Sequence, residues 1–197
     1  MNHYFSKDPE VKHDLGKISY KINDHLIEII TDAGVFSKNK VDFGSDLLIK
    51  SVPPFKGKAL DIGCGYGVLG ISLAISNPDS FVTMVDINKR AVDLAVKNIN
   101  LNNIKNASAF FSDGFSNVKE KFDVIVTNPP IRAGKKVIYP IYENSINFLN
   151  PGGSIYMVVQ KKQGAPSTVE KLKSIYGNCE IVNKEKGYWI IKSTKSS

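Results

Sequence analysis

The sequence predicts a doubly wound α/β fold: a seven-stranded, mostly parallel sheet covered by helices on both faces, with a small β-hairpin appended at the N-terminal side. Two observations carry this. From Lys58 onward, short apolar runs alternate with segments of helical period, as in parallel strands joined by crossover helices. Glycines, prolines and carboxylates follow the strands directly, and sheets of this kind bind ligands outside the carboxyl ends of their strands.

Residues 1 to about 16 are polar and read as extended. Ile18–Ile22 and Leu26–Ile30 flank Asn23-Asp24, a hairpin signature, and Asp32-Ala33-Gly34 reads as a turn. Gly44–Val52 reads as a helix stopped by Pro53-Pro54. Ala59–Ile62 is the first core strand and meets glycines at once. Val68–Ser76 is an apolar helix, and Phe81–Val85 a second buried strand ending at Asp86. Lys89–Leu101 is helical, with Ala91, Leu94, Ala95, Asn98 and Leu101 on one face. Ser108–Phe111 and Phe122–Thr127 are the third and fourth strands, the latter running into Asn128-Pro129-Pro130. Val137–Leu149 reads as a helix ended by Asn150-Pro151-Gly152-Gly153, and Ser154–Val159 as the fifth strand. Pro166–Tyr176 is a helix opened by proline in its first turn. Cys179–Asn183 and Tyr188–Ile191 close the sheet, and Ser193–Ser197 reads as a frayed end.

The 197 residues, 42% hydrophobic and 23% charged, suit one α/β domain. Residues 1–35 read as an N-terminal extension carrying the hairpin, and residues 36–197 as the main α/β domain. Lys and Arg number 26 against 19 Asp and Glu, a net charge of +7. Such an excess favours a polyanionic partner through counterion release, although it equally describes a solvated basic surface. Two cysteines, Cys64 and Cys179, make no disulfide framework and point to a reducing cytosol. His3, His13 and His25 match no zinc spacing. With no apolar leader at Met1–Asp8 and no apolar run of about 18 residues, the expectation is a cytoplasmic protein that needs no metal and no membrane.

The first core strand ends in Asp61-Ile62-Gly63-Cys64-Gly65-Tyr66-Gly67. Glycines at alternate positions let the backbone turn tightly and let a ligand approach without meeting a Cβ, while the helix after them offers free N–H groups. Asp86, 21 positions after Gly65 at the end of the second strand, is placed to accept from ribose hydroxyls; alone, it would read as part of a helix cap. Asp113-Gly114 follows the third strand and suits either an adenine amino group or a turn. The spacing is Gly-x-Gly-x-Gly, not the Gly-x-Gly-x-x-Gly of nicotinamide sites. Asp61 would repel a diphosphate but hold an ammonium or steer a sulfonium. These electrostatics prefer a cationic nucleoside cofactor, S-adenosylmethionine being the obvious case, over a nicotinamide.

Two prolines after Asn128 remove two N–H donors and stiffen the backbone. The Asn128 side-chain oxygen and the Pro129 carbonyl then suit an amine donor. Pinning both hydrogens of a conjugated base amine localises its lone pair toward a methyl donor, so positioning and electrostatics do the work.

Together these features resemble the class I S-adenosylmethionine-dependent methyltransferases, and among them the small-subunit ribosomal RNA guanine-N2 methyltransferases. The resemblance runs from about Phe36 to Ile191 through Val35-Phe36-Ser37, Val41-Asp42-Phe43-Gly44-Ser45, the glycine loop, Asp86-Ile87-Asn88-Lys89-Arg90-Ala91 and Asn128-Pro129-Pro130. Ile131–Lys136 and Gln160–Ala165 look like a short single-domain branch of that family. The resemblance implies methyl transfer to a guanine amine in structured RNA, with S-adenosylhomocysteine as product. Asp61, Gly63, Gly65, Gly67, Asp86, Asn88 and Asp113 would bind the cofactor, and Asn128, Pro129 and Pro130 would hold the amine. Ile131, Arg132, Lys135 and Lys136 are candidate substrate contacts, and Phe36 suits either a base-stacking aromatic or, more readily, core packing. Ile131 stands where adenine- and glutamine-modifying relatives carry an aromatic, which weakens an adenine-N6 or protein-amide target. The larger relatives' duplicated N-terminal half has no counterpart in the roughly 35 residues before the match, so RNA docking is expected to be simpler or shared.

Arg132, Lys135, Lys136, Lys161 and Lys162 follow the fourth and fifth strands and should ring the cofactor's mouth, where they could hold phosphates while a base is flipped. The expected partner is ribosomal RNA or a ribosomal assembly particle, and the chain is expected to be a monomer or weak homodimer. Asp42-Phe43-Gly44 spells a kinase tripeptide without kinase context; Gly44 and Ser45 read instead as a helix start over the cofactor. Cys64 reads as a small loop residue, not a nucleophile.

Overall fold

A computed structural model describes residues 12–35 and 39–197. The elements are β1 (Gly16–Ile22), β2 (His25–Thr31), α1 (Phe43–Ser51), β3 (Gly57–Ile62), α2 (Val68–Ser76), β4 (Ser80–Asp86), α3 (Lys89–Leu101), β5 (Ala107–Phe111), β6 (Phe122–Thr127), α4 (Lys135–Ser145), β7 (Leu149–Gln160), α5 (Ala165–Tyr176), β8 (Glu180–Glu185) and β9 (Tyr188–Thr194). Strands β3 to β9 form one sheet in the order β5-β4-β3-β6-β7-β9-β8, and β1 and β2 form a separate antiparallel ribbon. β9 runs against both its neighbours; the other pairings are parallel. This is the doubly wound, mostly parallel sheet with a hairpin that the strand–helix alternation predicts.

Alternate strand residues feed two cores. On one face Ala59, Val82, Met84, Val124 and Val126 pack against α1, α2 and α3. On the other, Leu60, Val85, Ile125, Ile155 and Met157 pack against α4 and α5, and Phe122 and Tyr142 are buried there. Ile22, Ile27 and Ile29 of the hairpin join the first core. Leu101, expected on the buried face of α3, is instead 42% exposed.

The elements between β6 and β7 depart from the sequence reading. The helix expected over Val137–Leu149 begins at Lys135, stops at Ser145 and gives way to a 3₁₀ turn, Ile146–Phe148. Leu149 already pairs with Phe122, so β7 starts five residues before the expected Ser154, with a register shift between Phe122 and Val124. Asn150-Pro151-Gly152-Gly153 is therefore an irregularity inside a strand. Gly153 runs against β6 so closely that a Cβ would lie 3.0 Å from the carbonyls of Phe122 and Asp123. Among the described residues no helix is long and apolar enough to cross a membrane.

Candidate active site

β3 lies between β4 and β6, where the strand order reverses, and the loops after these strands bound a cavity of about 500 Å³. The loop after β3 is anchored on β4: Gly63 and Cys64 donate to the Val85 carbonyl at 2.9 and 3.0 Å, and Gly65 donates to Asp86 Oδ2 at 2.8 Å. Gly63 and Gly65 have φ of 76° and 56°. A Cβ on either would meet no neighbour closer than 4.0 Å and would project into free space beside the cavity. Gly67 is outside the lining. Its φ is 93°, and a Cβ there would stand 3.2 Å from that of Ala95, so it brings α2 and α3 together.

Asp61 sits at the bottom. Gly67, the N-cap of α2, has no side chain to cap with, and Asp61 Oδ2 accepts the Gly70 N–H at 2.9 Å in its place. A Cβ on Gly70 would fall 2.4 Å from Met84 Sδ, so glycine permits this approach. Asp61 Oδ1 is buried with no hydrogen-bond partner. Burial pushes the Asp61 carboxyl up to about 7; the Gly70 N–H opposes this and neighbouring Asp86 adds to it. Asp86, also raised by burial, accepts from Gly65 and Asn88 N–H. Its two oxygens keep lone pairs for further donors. Burial, then the charges of Asp86 and Asp61, push the Cys64 thiol up, which is unfavourable for a nucleophile.

On the opposite lip, Thr127 ties β6 to β3 by donating its hydroxyl to the Ile62 carbonyl at 2.8 Å. The Asn128 amide nitrogen donates to Ser45 Oγ at 3.0 Å and to Asp42 Oδ1 at 3.3 Å. Because a carboxylate only accepts, these partners fix which end of the amide is nitrogen and leave the Asn128 oxygen as an acceptor in the cavity lining. Pro130, at φ −74° and ψ 68°, centres an inverse γ-turn in which Ile131 N–H donates to the Pro129 carbonyl at 2.8 Å. That carbonyl retains a second lone pair.

Asp61, Gly63, Gly65, Asp86, Asn88, Asp113, Asn128, Pro129 and Pro130 all border the cavity. Asn88 caps α3: its oxygen accepts from Arg90 and Ala91, and its amide donates to the Gly34 carbonyl. Asp113 is exposed at the rim. Ile131, Arg132, Lys135 and Lys136 lie outside the lining; the three cations are exposed in the segment after β6, and Lys161 and Lys162 lie after β7, at the same end of the sheet. Phe36 lies outside the described residues. Sequence reasoning missed the far wall, which comes from α4 and the turn after it: Val137, Pro140, Ile141, Asn144 and Phe148, with Phe148 stacked on Phe115 at 4.5 Å. It also missed Asp42, which caps α1 through Ser45 N–H and borders the cavity.

A family model described as "Methyltransferase small domain" matches residues 26–192. The chain belongs to the methyltransferase small-domain family. It is an S-adenosylmethionine-dependent methyltransferase, in keeping with its fold. This methyltransferase is 47% identical to the uncharacterized protein YbxB of Bacillus subtilis over 98% of both chains. It is 32% identical to the ribosomal RNA small subunit methyltransferase C of Aliivibrio fischeri, over 89% of this chain and 52% of that one. Its structure matches the T. thermophilus 16S rRNA N2 G1207 methyltransferase RsmC, solved with AdoMet and guanosine, at a TM-score of 0.81 and 26% identity, covering 92% of this chain and 50% of that one. The chain thus spans about half the length of the ribosomal RNA methyltransferases it matches.

The methyltransferase cavity fits the cofactor of its class on its own features. The unpartnered buried Asp61 Oδ1 calls for a donor, and two adjacent carboxylates call for positive charge. The free space over Gly63 and Gly65 admits a ligand against bare backbone.

Proposed function

We propose that this methyltransferase modifies an exocyclic amine of a nucleobase, guanine N2 in ribosomal RNA. The orientation of Asn128 carries the reading: Asp42 and Ser45 hold its amide nitrogen, so its oxygen is available to an amine N–H at the lip of the cofactor cavity. Asp61, Asp86, Gly63 and Gly65 would hold the cofactor, with Asp113 at the adenine side. The ribosomal RNA substrates named for the relatives and the exposed cations after β6 and β7 support an RNA target.

Bound S-adenosylmethionine supplies an electrophilic methyl group. Asn128 Oδ1 and the Pro129 carbonyl accept the two amine hydrogens and direct the nitrogen lone pair toward that methyl. The cofactor would supply this methyl on a sulfonium able to depart as a neutral thioether, and the two acceptors would hold the amine nitrogen for its transfer. The amine, cationic after transfer, gives one proton to solvent through these same acceptors. Since a protonated aryl amine is strongly acidic, pre-organised acceptors suffice without a dedicated base.

Two measurements test this. Nucleoside mapping of small-subunit ribosomal RNA from a deletion strain should show one N2-methylguanosine lost; an unchanged N2-methylguanosine content with another methylated nucleoside missing would move the target elsewhere. Asn128→Ala should lower kcat by about 100-fold or more, the scale of losing one positioned transition-state contact, while S-adenosylhomocysteine affinity stays within twofold. Retained turnover removes Asn128 from the chemistry.

A further inference from the structure

Helix α3 grips the N-terminal hairpin through side chains. In the ribbon, Glu28 and Ile30 turn their backbone N–H and C=O groups away from β1 and toward α3. Asn102 accepts the Glu28 N–H at 3.0 Å and donates to the Glu28 carbonyl at 2.8 Å. One helical turn earlier, Asn98 accepts the Ile30 N–H at 2.7 Å and donates to the Ile30 carbonyl at 3.0 Å. Each amide imitates a residue of an adjacent strand. The spacing explains why this works: two residues of strand advance about 6.8 Å, and four residues of helix about 6.0 Å. Asparagines at i and i+4 therefore meet alternate strand residues with a mismatch under about 1 Å, and an otherwise open strand edge is closed.

Asn98 reaches further. Its amide nitrogen also donates to the Tyr66 carbonyl at 2.8 Å. Tyr66 lies between Gly65 and Gly67 in the cofactor loop, and Asn98 is fully buried. Val85 and Asp86 hold the strand-proximal half of that loop; Asn98 holds the helix-proximal half. Farther along α3, Arg90 donates to the Ala33 carbonyl at 2.7 Å and Asn88 to that of Gly34 at 3.0 Å. They deliver Val35 to the cavity wall, its Cγ1 4.0 Å from where a Cβ on Gly65 would stand. Polar side chains at the two ends of α3 thus fix both the hairpin and the loop.

We propose that Asn98 is a positioning residue for the cofactor loop, and that through it strand β2 is a working part of the cofactor site. The inference rests on the reading that this cavity holds the S-adenosyl nucleoside. The Asn98–Ile30 contact and cofactor binding then strengthen each other reciprocally.

The test compares full-length Asn98→Asp, Asn98→Ala and Asn102→Ala by melting temperature and by calorimetric titration with S-adenosylhomocysteine. Asn102 grips the hairpin as Asn98 does but makes no bond to the loop. All three variants should melt lower. The Asn98 variants should bind S-adenosylhomocysteine about fivefold to tenfold more weakly, the scale of one net hydrogen bond, while Asn102→Ala stays within twofold. Equal weakening in the Asn102 variant, or unaltered binding in folded Asn98 variants, overturns the proposal. If the Asn98 variants do not fold, hydrogen exchange on the wild-type chain decides: S-adenosylhomocysteine should slow exchange at the Glu28 and Ile30 amides, and unchanged rates there overturn it. Failure of the wild-type chain to bind S-adenosylhomocysteine overturns the cavity reading as well, whereas normal binding with unaltered Asn98 variants overturns this inference alone.

Discussion

If Asp61 holds the cofactor as proposed, its carboxyl should make binding pH-dependent. Without ligand its pKa is raised from 3.8 to about 7, first by burial and then by Asp86, against the single N–H of Gly70. The sign follows from the raised value: the folded chain holds this proton more tightly than the unfolded chain does. The associated stability is present below about pH 4 and lost as pH rises through about 7, a difference on the order of 4 kcal/mol for the ligand-free protein. A ligand ammonium prefers the ionised carboxylate, so below about pH 7 binding must expel the proton. The dissociation constant should rise about tenfold per pH unit there, about 100-fold by pH 5. Calorimetric titration with S-adenosylhomocysteine, in buffers of different ionisation enthalpy, reads this directly. Close to one proton should be released per complex at pH 6 and almost none at pH 8. Asp61→Asn should flatten the profile and weaken binding at pH 8, while raising the melting temperature of the ligand-free protein at that pH because a buried charge is gone. A wild-type affinity that is level from pH 5 to 8, or an unaltered slope in Asp61→Asn, refutes the reasoning.

Asp86→Ala removes an acceptor shared by the Gly65 and Asn88 N–H groups. It should weaken S-adenosylhomocysteine by about 10- to 100-fold, the scale of hydrogen bonds to a charged group; an unchanged dissociation constant by calorimetry takes Asp86 out of the site. RNA affinity should fall steeply with salt, with a log–log slope of about −0.7 to −0.9 for each phosphate neutralised. Lys161→Gln with Lys162→Gln should make that slope shallower by one to two, as measured by filter binding across salt concentrations. An unaltered slope excludes these lysines from the phosphate contacts.

Much of the fold was legible because its signals are local. The bounds of α2, α3 and β6 agree with the expected Val68–Ser76, Lys89–Leu101 and Phe122–Thr127; α2 and α3 are bracketed by glycine or asparagine, and β6 ends at Asn128-Pro129. The segment from Val137 to Ser154 was misread because Pro-Gly-Gly is the same signal for a turn and for a bulged strand. Only the closeness of Gly153 to β6 distinguishes them, and that is a tertiary fact. Within the site, Asp61, Gly63, Gly65, Asp86 and Asn128 stood out because each lies at or just past the carboxyl end of a strand. The α4 wall did not, since the side of a helix bordering a cavity has the mixed composition of any half-exposed face. Asp42 hid inside a tripeptide that drew attention to the wrong chemistry. No residue-type signal could show that its partner would be Asn128, 86 positions away.

A single atom, Asp42 Oδ1, receives both the Ser45 N–H that starts helix α1 and the amide of Asn128. Winding the first turn of that helix and arming the amide are consequently one event. Fraying that removes both Asp42 and Ser45 from the amide would free the asparagine to rotate and present nitrogen where the proposed role needs oxygen. On the proposed reading of Asn128, loosening that one turn at the cavity's edge would stop methyl transfer while leaving the cofactor bound and every reacting group chemically intact.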